Sequence, residues 1–208
     1  VELPMVVLTR LSTVQAENPY INQDYFQKLD KPEYNQSYQE KRVANHARQF
    51  ETLQQCANYL GNEDPTSKYA YDFVIRIRED VAFNSTFDIN PLLPILRSRT
   101  SKSVVIGSDC RTHGGINDRI AFVSIGAAFK YFTLPFQRYR YSKKPLNKFI
   151  FNPETFFYQT YLSNKVNTIN SKFVRYVKKY VRDRNGKPVP ANNEGFPCWC
   201  PGICKKSR

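Results

Sequence analysis

The stretch that most constrains the fold is residues 71–83, YDFVIRIREDVAF. Phe73, Ile75 and Ile77 alternate with Val74, Arg76 and Arg78, and a period of two is that of a strand whose successive side chains leave opposite faces. The spacing predicts a strand with one packing face and a second face carrying Arg76, Arg78 and Asp80. Ligands of open α/β sheets sit beyond the carboxyl ends of the strands, which is where Arg78, Glu79 and Asp80 fall. An edge strand with a solvated ladder of arginine and aspartate is the plainer alternative.

The elements around it alternate in type. Residues 4–11, PMVVLTRL, read as a buried first strand, and the polar residues 12–36 as a long loop. Ser37 and Glu40 form a capping box ahead of Val43, Ala47, Phe50, Leu53, Ala57 and Leu60, whose three- and four-residue spacing predicts a helix stopped by Gly61. His46 lies beside that stripe and is expected to pack or to face solvent. Asn90 and Pro91 open a short helix, residues 103–107 (SVVIG) a short strand, and residues 116–132 read as a strand or, better, a helix. Asn152-Pro-Glu154 opens another helix, followed by a strand at 166–169, while 172–184 fits either strand or helix. The order predicts an α/β fold with a central, mostly parallel sheet flanked by helices: one domain over 1–186 and a basic, Pro/Gly-rich tail over 187–208.

Charge is distributed unevenly. The net charge is +13, residues 1–137 are formally neutral, and residues 138–208 carry 16 Lys/Arg against Glu154, Asp183 and Glu194. A basic third favours a polyanionic partner: nucleic acid, an anionic membrane surface or a phosphorylated small molecule. No run of residues approaches a transmembrane span, and no basic segment with an apolar core opens the chain, so the expected compartment is the cytosol. The chain opens at Val1 without an initiator methionine, which fits one part of a longer polypeptide. Of the 5 cysteines, Cys56 and Cys110 are expected as packed thiols. Cys198, Cys200 and Cys204 match no common zinc spacing.

Glycine-rich phosphate loops, the G-x-S-x-G elbow and H-E-x-x-H are all missing, which removes the commonest NTPase, dehydrogenase and hydrolase chemistries. What remains is Glu79 and Asp80 at a strand end and the loop THGGIND, with His113, Gly114, Gly115 and Asp118. Carboxylates at a strand terminus suit a hard cation such as Mn²⁺ or Mg²⁺. Adjacent glycines let backbone approach a ligand, and Asp118 behind them can orient a sugar hydroxyl or act in catalysis, although an ordinary loop explains the glycines equally well.

I-R-I-R-E-D-V resembles the variant metal-binding signature of GT-A glycosyltransferases, in which Asp-x-Asp is usual. G-G-I-N-D-R-I-A-F and N-P-E-T-F are similar to segments of small glycosyltransferase-like proteins, including domains encoded by large algal viruses; the similarity spans roughly residues 4–162. The resemblance implies a GT-A, Rossmann-like fold, a nucleotide-diphosphate-sugar donor, a UDP-sugar foremost, a glycan acceptor and a divalent cation, in the host cytosol if the protein is viral. By position it makes Asp80, with Glu79, the metal ligand and puts Arg78 where the first acid usually stands. It assigns Thr9, Arg10, Leu11, Arg76 and Arg78 to the nucleotide and His113, Gly114, Gly115 and Arg119 to the donor sugar and diphosphate. Asp118 and Glu154 become the catalytic carboxylates.

Two other classes compete. Aromatic residues interleaved with basic ones, as in YFTLPFQRYRYSKK and FVRYVKKYVRDR, suit single-stranded nucleic acid, although no RRM, KH or helix-turn-helix pattern is present and nucleic acid is the less favoured partner. A metal-dependent phosphoesterase or nuclease would use Glu79, Asp80 and Asp109, but such sites gather more carboxylates and histidines than this chain offers.

Overall fold

The computed structural model describes residues 36–62, 71–78, 81–82, 88–98, 103–109, 114–141, 152–171, 174, 177–178, 180–182 and 188–190. The chain divides into two compact units, residues 1–68 with 132–148 and residues 69–131 with 149–208. The expected strand at 4–11, the expected loop at 12–36 except for Gln36, which is helical, and the cysteines beyond Cys56 lie outside the described residues.

In the first unit α1 (Gln36–Asn62) is the helix that the apolar spacing predicts. Val43, Ala47, Phe50, Leu53 and Ala57 are all buried, as are Cys56 and His46. Ser37 lies inside the first turn and the helix continues through Gly61, so both ends fall a residue beyond the expected caps. Phe50 meets Tyr139 with ring centroids 5.2 Å apart, a tilted aromatic pair within this unit.

The second unit is built on a four-stranded sheet. In chain order its strands are β1 (Phe73–Ile77), β3 (Val104–Ser108), β4 (Ile120–Ser124) and β5 (Asn167–Ser171), with β2 (Val81–Ala82) outside the sheet. Their spatial order is β1-β4-β3-β5. β4 runs antiparallel to both β1 and β3, and β3 runs parallel to β5. The α/β class holds, but the described sheet is mixed and not mostly parallel. The reason is β4, whose residues IAFVS were expected inside a helix: they are buried on both faces between β1 and β3 and reverse direction there. Burying such side chains contributes about 1.5–3 kcal/mol each, enough to override a helical spacing.

Helix α2 (Leu93–Arg97) follows a turn at 90–92, so Asn90 and Pro91 shape the turn rather than cap the helix. Leu92 and Leu96 pack with Val104, Ile106, Ile120, Phe122 and Val174 on one face of the sheet. Helix α3 (Ile125–Tyr141) leaves β4 without a loop and carries Pro135 in its interior; residues 125–131 belong to this unit. Helix α4 (Pro153–Ser163) is the helix expected after Asn152. Its Tyr161 stacks on Tyr131 at 5.4 Å and donates its hydroxyl proton to the Tyr131 carbonyl at 3.0 Å. The ambiguous stretch 172–184 holds two short strands, β6 (Val177–Lys178) and β7 (Tyr180–Arg182). β6 pairs with β2, and β7 pairs with β8 (Pro188–Pro190).

β1, β3 and β5 point the same way and β4 the other. The carboxyl ends of three strands and the start of β4 therefore share one edge of the sheet, and the candidate site forms there.

Candidate active site at the sheet edge

The register of β1 decides what reaches that edge. Arg76 lies opposite Ala121, which lies opposite Gly107, which lies opposite Asn170. Residues opposite one another share a face, so this row runs across the sheet on the side away from Leu92 and Leu96. Its middle is small, which leaves room for the loop before β4 to lie on the sheet. A Cβ built on Gly107 would come within 2.9 Å of Ile116 Cγ1, which shows how closely the loop rests there. Asn170 Nδ2 grips the same loop by donating to the Gly115 carbonyl at 3.1 Å.

The loop is also fastened to α4. Asn152 caps that helix, its Oδ1 accepting from the Thr155 N–H at 2.8 Å, with Pro153 following. Ile116 N–H donates to the Glu154 carbonyl at 3.2 Å. Gly115 is the residue this contact demands, because a Cβ there would overlap the Glu154 carbonyl group. Gly114 has φ +79°, a left-handed conformation natural to glycine. The two glycines thus bring backbone close to backbone, seating the loop against the helix start.

The consequence is a cluster of charge. Arg78 Nη1 meets Asp118 Oδ2 at 2.5 Å, with the Arg78 side chain 29% exposed and Asp118 only 4%. Arg78 N–H also donates to the Arg119 carbonyl at 2.9 Å, continuing the β1–β4 ladder past Ile77. Asn117 Oδ1 accepts from the Arg119 N–H at 2.9 Å and turns the chain into β4. Glu154, in the first turn of α4, is buried beside this pair. Burial first and then the Asp118 carboxylate push its pKa up to about 7, against the pull of its own backbone N–H and of Arg119 and Arg78. A helix N-terminus ordinarily favours an ionised acid, but here desolvation wins. Glu154 therefore holds its proton below about pH 7.

Arg76 lies two residues before Arg78 on the same face of β1. Its Nη1 is buried and has no hydrogen-bond partner among the described residues. The guanidinium lies near Tyr161, whose hydroxyl is pushed well above its usual range by burial and then by Tyr131, with Arg76 pulling the other way.

Of the residues expected from the sequence, the structure brings Arg76, Arg78, Gly114, Gly115, Asp118, Arg119 and Glu154 to one sheet edge. Thr9, Arg10, Leu11, Glu79, Asp80 and His113 lie outside the described residues. The parity of β1 is as expected, but its burial is not. Ile75 and Ile77 are 37% and 48% exposed, while an atom of Arg76 is buried. The Leu92/Leu96 core reaches Phe73 and stops short of the two isoleucines. Asn117, Asn152 and Asn170, which set the geometry, were not expected as site residues except for Asn152 as a helix start.

Among the described residues no three His, Cys, Asp or Glu side chains come together to hold a metal ion. Asp118 and Glu154 share their space with arginines, a donor set that does not fit a divalent cation. Among the described residues, no helix is long and apolar enough to cross a membrane. No protein-family model, curated protein or solved structure matches the chain.

Proposed function

We propose that the protein is a glycosyltransferase that moves a sugar from a nucleotide-diphosphate-sugar, foremost a UDP-sugar, to an acceptor hydroxyl of a glycan. The observation that carries this reading is the meeting of Arg78, Asp118 and Glu154 where three strands end. Arg76, Arg78 and Arg119 offer positive charge for a diphosphate, and guanidinium groups bind such oxygens in pairs. Asp118, held by Arg78, presents a fixed carboxylate to the positive charge that develops on the sugar and can receive the acceptor proton. Protonated Glu154 donates to the departing phosphate oxygen as the bond from the sugar breaks. A divalent cation would rest on Glu79 and Asp80, which follow Arg78 in the sequence, and would neutralise charge on the diphosphate.

Release of nucleoside diphosphate from a panel of UDP-, GDP- and dTDP-sugars tests this. One donor should turn over, and Asp118→Asn should slow it roughly 10²-fold while the variant still folds. Turnover should fall as pH rises through about 7, where Glu154 loses its proton. Absence of release from every donor, with and without Mn²⁺, would contradict the proposal.

A second reading has one observation in its favour. The Arg140 guanidinium lies 5.7 Å from the Phe136 ring and 5.8 Å from the Tyr141 ring, and Tyr141 is exposed, a surface on which bases could stack. Salt-titrated binding of single strands decides it, since the affinity would be highest at low salt.

A further inference from the structure

The charges at the sheet edge do not balance at every pH. Arg78 and Arg119 act on two carboxylates, Asp118 and Glu154, with Arg76 two residues before Arg78 on the same face of β1; Asp118 meets Arg78 at 2.5 Å. The groups acting on Glu154 are Asp118 and Arg119 from the loop before β4, Arg78 from the end of β1, and its own helix-terminal N–H. With Glu154 protonated the cluster carries a net charge of two positives; with it ionised, one. Arg76 carries a buried N–H that no described group accepts, as does Arg119 at Nε. Arg76 stands beside Ala121 and Gly107 in the row of small residues, on the strand that also carries Arg78.

We infer that this edge is a proton-linked anion site, in which Arg76 and Arg78 receive a phosphate-type dianion and Glu154 must take up a proton for it to bind tightly. An anion placed there repels the Glu154 carboxylate and favours its acid form. By reciprocity the acid form favours the anion. Where Glu154 is ionised, binding therefore takes up to one proton from solvent, and it forms no covalent bond. The loop seated between Gly107, Asn170 and the Glu154 carbonyl fixes the backbone from which the buried carboxylate projects. The inference rests on the transferase reading for the place of the donor's phosphates. Its test does not, because the probe has neither nucleoside nor sugar.

The probe is sulfate, a dianion that does not titrate between pH 5.5 and 8.5, added to the full chain at constant ionic strength and followed through the arginine Nε–H resonances. The parent should bind at least about fivefold more tightly at pH 5.5 than at pH 8.5. Glu154→Gln should bind at both pH values as the parent does at the lower one, and Arg76→Gln should lose about tenfold or more at both. Equal affinity of the parent at the two pH values would overturn the proton linkage, and parent-like binding by Arg76→Gln would overturn the site. Should Glu154→Gln fail to fold, the carboxyl resonance of Glu154 in the parent gives the answer. Saturating sulfate should move its titration to higher pH, and an unmoved titration would overturn the inference. A nucleotide panel that fails while sulfate behaves as described would count against the donor, not against the linkage.

Discussion

Around Glu154 the backbone is bonded from several sides: its carbonyl accepts from Ile116, Asn152 caps its helix and Asn170 holds the neighbouring loop. Arg76 and Arg78, at the same edge, ride on β1, a strand paired on one side only among the described residues and with isoleucines in solvent. The Glu154 side of the site is thus fixed by main-chain contacts, whereas Arg78 is set by the register of β1 and by its pairing with Asp118. Acids that must hold a proton at neutral pH need a rigid, desolvated seat. Arginines that bind an anion need to reach it, and a long side chain on a less enclosed strand can.

The largest expected effect strikes the rigid half. Gly115→Ala puts a methyl group into the Glu154 carbonyl, so either the loop or the helix start must shift. A loss of about 3 kcal/mol or more is expected, a fall of roughly 6–12 °C in Tm by calorimetry. An unchanged Tm would mean that the loop does not rest on α4.

Next comes the pH dependence of stability. Glu154 is raised from its ordinary value to about 7, so the folded state binds its proton more tightly than the unfolded chain. The stability tied to this proton is fully present below the unfolded pKa, declines as pH rises from about 4.5, and is gone above about 7. The full loss is about 3 kcal/mol. Denaturant titrations of the parent and Glu154→Gln should therefore diverge over that window, the variant gaining on the parent as pH rises. Parallel curves would place Glu154 in water.

Smaller effects follow. Asn152→Ala removes the cap of α4 and should cost about 1 kcal/mol in denaturant unfolding. Ile77→Thr changes an exposed side chain on the other face of β1 and should stay within about 0.5 kcal/mol. A larger loss would mean that something covers that face and would blur the contrast between the two halves.

Much of this was legible in the sequence because local rules carry it. The stripe of α1 from Val43 to Ala57 and the Asn152-Pro-Glu154 start of α4 each declare themselves within a few residues. The alternation in β1 gave the right faces for Arg76 and Arg78. The boundary between β4 and α3 was hidden, because Ile120, Val123, Ala127 and Ala128 keep a helical spacing across a junction marked by Gly126 alone, with no turn between the two elements. The Arg78–Asp118 pair spans 40 residues and depends on the β1–β4 register, which no local pattern encodes. The glycines of GGIND read as room for a ligand. At Gly115 the room is taken by the Glu154 carbonyl, and only the packing of α4 against the loop reveals it.

The proposed transferase needs this sheet edge to bind the diphosphate of a nucleotide. Its most direct test is thermal unfolding of the parent and of Arg76→Gln with UDP, GDP and dTDP, each with and without Mn²⁺. A ligand at 100 times its Kd adds about 2.7 kcal/mol, which raises Tm by roughly 5–11 °C for a chain of this size. One nucleotide should give such a rise in the parent, and the rise should be lost in Arg76→Gln. Equal rises in both proteins, or none with any nucleotide, would contradict the proposal.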